Sequence, residues 1–103
     1  MERVGVFFKL KEGMAEPYEK AHNEIWEEMM VVLNDSGIKN YSIWNLGEML
    51  FSYYEVEDKK KMESVLTHSD VYKRWRDYME EFIYIEPESG KKEWFMKMVF
   101  YKD

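Results

Sequence analysis

The chain has 103 residues, which suits a single domain spanning residues 1–103, since domains ordinarily take ~100–200 residues. Its 15 basic and 21 acidic residues give a net charge of −6, a poor basis for nucleic-acid binding, which draws on clustered Lys and Arg. The absence of cysteine excludes a disulfide scaffold, a thiolate nucleophile and a Cys-based zinc site, and 46% hydrophobic residues exclude disorder as the overall description.

The chain opens with residues 3–11, in which Val4, Val6, Phe8 and Leu10 alternate with Phe7, Lys9 and Lys11. That period of two predicts a half-buried strand ended by Gly13. The same stretch is charged too early for a secretory signal, and no apolar run approaches the ~18 residues of a membrane span. Residues 17–34 then take helical period: Tyr18, Ala21, His22, Ile25, Trp26, Met29, Met30 and Leu33 form one apolar stripe. The spacing predicts a single helix, with Pro17 in its first turn and Gly37 as its left-handed cap.

Residues 38–46 and 49–57 alternate again and are joined only at Gly47-Glu48, which predicts an antiparallel hairpin. Asp58 is placed to cap a short helix whose first turn is the basic run Lys59-Lys60-Lys61. A second helix restarts at Ser69 or Asp70, with Val71, Trp75, Tyr78 and Phe82 inward and Tyr72 and Met79 beside them. Pro87 and Gly90 mark a loop, and residues 93–101 predict the last strand.

The order β-α-β-β-α-β is that of an α+β, ferredoxin-like subunit with an antiparallel sheet. Its helices cover one sheet face. Large apolar residues occur on both faces: Phe7 opposes Val6 and Phe8, and Met49, Phe51 and Tyr53 oppose Leu50 and Tyr54. A bare apolar face needs a partner, and a homodimer with sheets packed face to face is the economical one.

Chemistry-bearing residues are few. His22 lies in the helical stripe four residues after Tyr18, so the two share one surface spot. Two readings of His22 stand: a core imidazole bonded to a carbonyl, or an acid–base group in a polar pocket. His68 sits between two helical pieces and suits a cap or the surface. The two His lie too far apart in sequence for paired ligand spacing, so no metal is expected. The acidic runs Glu27-Glu28, Glu55/Glu57 and Glu80-Glu81 fit solvated faces, and there is no Gly-rich phosphate loop. Trp44 and Trp94 fall on strands, as core or dimer contacts, and Tyr41 has the parity opposite to Trp44.

Three stretches also carry a resemblance: Tyr18-Glu-Lys-Ala-His22-Asn23-Glu-Ile-Trp26, Asn40-Tyr41-Ser-Ile, and Ser69-Asp70-Val71-Tyr-Lys-Arg74-Trp75-Arg76-Asp-Tyr78-Met79. With the closing Val99-Phe100-Tyr101, the chain resembles the L-rhamnose mutarotase family from about residue 3 to residue 101. The resemblance implies a dimeric α/β barrel that interconverts the anomers of L-rhamnose, or of a closely related deoxy-sugar, in the cytoplasm and without a cofactor. It implies His22 as proton donor, Tyr18 and Tyr41 as substrate-binding tyrosines, and Trp75 at the sugar. Arg76 stands where the family pattern often has a second Trp, and a guanidinium there can still stack and adds hydrogen-bond donors. Glu24 stands where Pro is expected after Asn23. In this scheme His22 handles the proton at the ring oxygen beside Tyr18, and water or Tyr41 serves the anomeric hydroxyl. A non-catalytic ligand-binding or regulatory barrel is the alternative from another class, and a cofactor-free monooxygenase is supported by fold analogy alone.

Overall fold

The computed structural model describes residues 1–103. Strand β1 (Glu2–Lys9) leads to helices α1 (Ala15–Asn23) and α2 (Glu27–Ser36). The hairpin β2 (Lys39–Leu46) and β3 (Met49–Val56) follows, then helices α3 (Lys59–Thr67) and α4 (Asp70–Met79), then β4 (Trp94–Met96). The sheet order is β2-β3-β1-β4 and every pairing is antiparallel. This is the expected ferredoxin-like split arrangement. No helix is long and apolar enough to cross a membrane.

Local chemistry sets most boundaries. The Asp58 carboxylate accepts from the Lys61 N–H at 3.0 Å and starts α3, and the Ser69 hydroxyl accepts from the Tyr72 N–H at 3.0 Å and starts α4. Such N-caps satisfy helix donors that have no partner inside the helix, each worth ~1 kcal/mol. Gly37, at φ 81°, ends α2 in the left-handed conformation that a side chain would resist. Gly47, at φ 60°, turns the hairpin, and the Asn45 amide braces it by donating to the carbonyls of Gly47 and Met49.

The structure corrects two boundaries. The predicted helix over residues 17–34 is two helices, interrupted at residues 24–26. No Pro or Gly forces the break. Trp26 takes an extended backbone (φ −62°, ψ 135°), and this swings its ring against Trp75 at 5.1 Å and into a stack on Tyr78 at 6.0 Å. Aromatic burial outweighs continuity of the helix here. Arg74 secures the same corner, pairing with Glu28 at 3.6 Å and lying 5.6 Å over the Trp26 ring.

The last strand pairs over Trp94–Met96 alone, rather than over residues 93–101. Met96 packs over Gly5, where a Cβ would meet its Cε at 3.2 Å. Beyond it the chain leaves the sheet. Arg3 holds the departing arm, donating to the Tyr101 hydroxyl at 3.0 Å and lying 4.0 Å over that ring.

Register divides the sheet cleanly. Val4, Val6 and Phe8 of β1 pair with Tyr54, Ser52 and Leu50 of β3 on the helix side. Leu10, Met29 and Leu50 are almost wholly buried there, and the Ser52 hydroxyl donates to the Val6 carbonyl at 3.3 Å. On the other side Phe7 meets Phe51 at 5.5 Å and Trp94 at 5.8 Å, and nothing covers them. Trp44, on this side, is 69% exposed, so within the chain it is not a core residue.

Candidate functional site

Between the inner sheet face and the helices lies a cavity of about 1010 Å³. All five residues singled out from the sequence, Tyr18, His22, Tyr41, Trp75 and Arg76, line it.

Helix α1 delivers the first two. Four residues on a helix make one turn, which brings the Tyr18 and His22 rings to 4.3 Å. Nδ1 of His22 lies 3.0 Å from the Tyr18 carbonyl oxygen. A carbonyl only accepts, so Nδ1 carries the proton and donates, and Nε2 of the neutral ring keeps its lone pair. The two readings of His22 therefore merge: it is bonded to a carbonyl, and its other nitrogen is still available.

Helix α4 supplies the wall against this pair. Trp75 is buried and meets His22 edge-on, at 5.4 Å and 80°. Behind Tyr18 stands Phe82, also edge-on at 6.3 Å. Trp26 packs on Trp75 rather than continuing the Tyr18–His22 row, as a consequence of the helix break.

Burial tunes the titratable groups. It pushes the His22 pKa below 6.5, and the bond to Tyr18, which favours the charged form, only partly opposes this. Burial likewise raises the Tyr18 phenol, with Tyr41 adding to the rise. The Tyr41 phenol is pushed up to about 12, by burial first and then by Tyr72, Tyr54 and Glu93. Tyr41 as a whole residue is 45% exposed, yet desolvation is the first cause of the rise at its phenol. Both phenols are therefore neutral hydrogen-bond donors at ordinary pH, and Tyr41 is a poor base.

The sheet places Tyr41 beside Tyr54, with ring centroids 5.8 Å apart. Arg76 lies 5.8 Å from the Tyr72 ring, one turn before it on α4. Tyr54, Tyr72 and Glu93 also line the cavity and were not singled out from the sequence. Signals for two were present. Tyr54 shares the parity of the buried Leu50, and Tyr72 stands four before Arg76. Glu80, in one of the acidic runs, pairs with Lys92 at the cavity edge, and that ammonium holds its carboxyl below the usual range. His68 is as expected: exposed, at the end of α3, with Nδ1 2.7 Å from the Ser64 carbonyl oxygen. No three His, Asp or Glu side chains converge closely enough to hold a metal ion.

A polar imidazole in an aromatic box, faced by neutral phenols, suits a small uncharged ligand with hydroxyl groups. Comparison with known proteins decides the family. The family model described as L-rhamnose mutarotase matches residues 3–102. The chain belongs to the L-rhamnose mutarotase family. It is 35% identical to the L-rhamnose mutarotase of Listeria monocytogenes serovar 1/2a, over 98% of each chain. It is 32% identical to that of Lachnoclostridium phytofermentans, over 100% of each. Among solved structures it is similar to the crystal structure of L-rhamnose mutarotase FA22100 from Formosa agariphila, with a TM-score of 0.83, 26% identity and 100% of both chains covered. Mutarotases are isomerases, and membership does not favour a regulatory module.

Proposed function

We propose that the protein interconverts the α and β anomers of L-rhamnose by general acid–base ring opening, with His22 as the proton carrier. The observation that carries this reading is the free Nε2 of a desolvated His22, set between Tyr18 and Trp75 in the cavity.

His22 enters the cycle neutral, because burial depresses its pKa. It must therefore take a proton before it gives one. Nε2 accepts the proton of the anomeric hydroxyl, the C1–O5 bond breaks, and C1 becomes an aldehyde. The imidazolium passes the same proton to the ring oxygen. Both oxygens are bonded to C1, so one nitrogen serves both with a small shift. Rotation about C1–C2 presents the other aldehyde face, and closure runs the steps in reverse. Tyr18 and Tyr41, held neutral, donate to oxygens as charge develops on them. Tyr41 does not serve as the base. Trp75 stacks on the sugar's apolar face, and Arg76 contacts its polar rim.

The bare outer face supports a homodimer with sheets apposed, which completes the dimeric α/β barrel. Trp44, Leu46, Phe51 and Met96 form an apolar area too large to leave in water. Light scattering at micromolar concentration is expected to give twice the chain mass, and a one-chain mass would refute the dimer.

The activity is tested by saturation-transfer NMR of L-rhamnose. Magnetisation transfer between the anomeric protons is expected well above the rate in buffer. Exchange no faster than in buffer would remove the proposed function.

A further inference from the structure

Two groups of tyrosine and glutamate lie on opposite faces of the sheet, and they differ in what their polar atoms are bonded to. On the outer face Glu55 is engaged at both oxygens. It accepts from the Tyr53 hydroxyl at 2.6 Å and from the Asn40 amide at 2.8 Å, with Arg3 at 4.0 Å. On the inner face Tyr41, Tyr54, Tyr72 and Glu93 all line the cavity. Glu93 stands two residues before Phe95, which pairs with Val6, so it shares the inward parity of that strand.

The inner group is close-knit and unbonded. Tyr41 and Tyr54 have ring centroids 5.8 Å apart. Burial raises the phenols of Tyr41, Tyr54 and Tyr72, and the Glu93 carboxylate adds to the rise in all three. Tyr41 in turn adds to the rise at Tyr18, whose ring lies 4.3 Å from that of His22. The wall thus runs from Glu93 through Tyr41 to the Tyr18–His22 pair. Yet none of the side-chain hydrogen bonds of the molecule uses these four phenols or the Glu93 carboxylate. The ion pairs are Arg3–Glu55, Lys59–Glu2, Arg74–Glu28 and Lys92–Glu80, so Glu93 is in none, and its chain neighbour Lys92 is taken by Glu80. The oxygens of Tyr18, Tyr54, Tyr72 and Glu93 are not sealed from solvent either.

Neutral phenols around a carboxylate set O–H donors beside a group that only accepts. A sugar hydroxyl matches both, because it donates to the carboxylate while accepting from a phenol. An anionic ligand would instead meet Glu93 with like charge. A pyranose held with C1 and its ring oxygen at His22 has hydroxyls at C2, C3 and C4 left to offer. Resting on the mutarotase reading, we propose that Glu93 is a substrate-binding residue that accepts a hydrogen bond from one of these three hydroxyls, within the tyrosine wall. The bond does not involve the atoms that react, so it holds ground state and transition state alike and acts on KM more than on kcat.

Saturation-transfer NMR of L-rhamnose and its 2-, 3- and 4-deoxy analogues, over a range of sugar concentrations, tests this with the wild type, Glu93→Leu and Glu93→Gln. On L-rhamnose, Glu93→Leu is expected to raise KM about tenfold or more, as loss of a hydrogen bond to a charged group does, with kcat little changed. Glu93→Gln keeps the shape but offers one neutral oxygen, so it is expected to lose less, and it gives the same readout should the Leu variant not fold. On the deoxy sugar that lacks the bonded hydroxyl, wild type and variant are expected to converge, because neither can make the bond. If Glu93→Leu matches the wild type on L-rhamnose, or loses the same factor on all three deoxy sugars as on L-rhamnose, the inference fails and the mutarotase reading stands. If the wild type exchanges none of these sugars above buffer, both fail.

Discussion

The two histidines of this chain make the same local bond and have different chemistry. His22 places Nδ1 3.0 Å from the carbonyl oxygen of Tyr18, and His68 places Nδ1 2.7 Å from that of Ser64, each reaching back four residues near a helix end. Helix geometry alone accounts for both bonds. His68 then faces water. His22 faces Trp75 and Tyr18 in a cavity, where desolvation lowers its pKa and leaves Nε2 as the one nitrogen free to act. Local sequence selects the tautomer, and tertiary surroundings select the function.

The sharpest way to break this comparison is to remove each imidazole. His22→Ala is expected to slow anomer exchange by ~10²–10⁴-fold, the usual value of positioned acid–base catalysis, in saturation-transfer NMR on L-rhamnose. If the loss is below tenfold, His22 is not the proton carrier. Trp75→Ala removes the wall that distinguishes the two sites. Loss of so large a buried side chain is expected to cost ~3–5 kcal/mol in urea unfolding, with activity falling in whatever remains folded. A variant of unchanged stability would show that the aromatic box does not support α4.

Acid titration sharpens the same point more gently. Protonation occupies Nε2, so kcat/KM is expected to fall as pH drops through the His22 pKa, which lies below 6.5. Activity should then hold from neutrality upward until the Tyr41 phenol, near 12, begins to ionise. A midpoint above 6.5 would mean that His22 is not desolvated in the working enzyme. The smallest effect belongs to His68→Ala. This exposed position is expected to change stability by no more than ~0.5 kcal/mol and to leave the pH profile where it was. A shifted profile would transfer the titration to His68.

The sheet's two faces repeat the lesson on a larger scale. Period-two alternation puts apolar groups on both sides of β1 and β3, and the helices can close only one. Phe7 gathers Phe51 and Trp94 on the open side, with ring centroids 5.5 and 5.8 Å away. Adding a charge there, as in Phe51→Asp, is expected to lower the scattering mass of the proposed dimer while leaving the cavity on the opposite face intact.

Much of this was legible in the chain itself, because it is written in short-range periods. Alternation located β1, β2 and β3, the Gly47 turn fixed their hairpin, and Asp58, Ser69 and Gly37 marked helix ends through bonds that span at most three residues. The Tyr18–His22 pair follows from helix spacing alone. What failed depended on partners distant in sequence. The helix breaks at residues 24–26 because Trp26 finds Trp75 and Tyr78 some fifty residues further on. The last strand stops at Met96 although alternation continues, and the arm beyond it meets Arg3 at Tyr101.

By itself, then, the sequence determined the element order, the face each residue takes and the spacing of Tyr18 and His22, since these depend on backbone periods and neighbouring side chains. Only the tertiary structure decided that Trp75, Tyr41 and Arg76 share a cavity with them, and that burial lowers the His22 pKa. Desolvation is a property of everything packed around a group, and no local stretch of chain contains it.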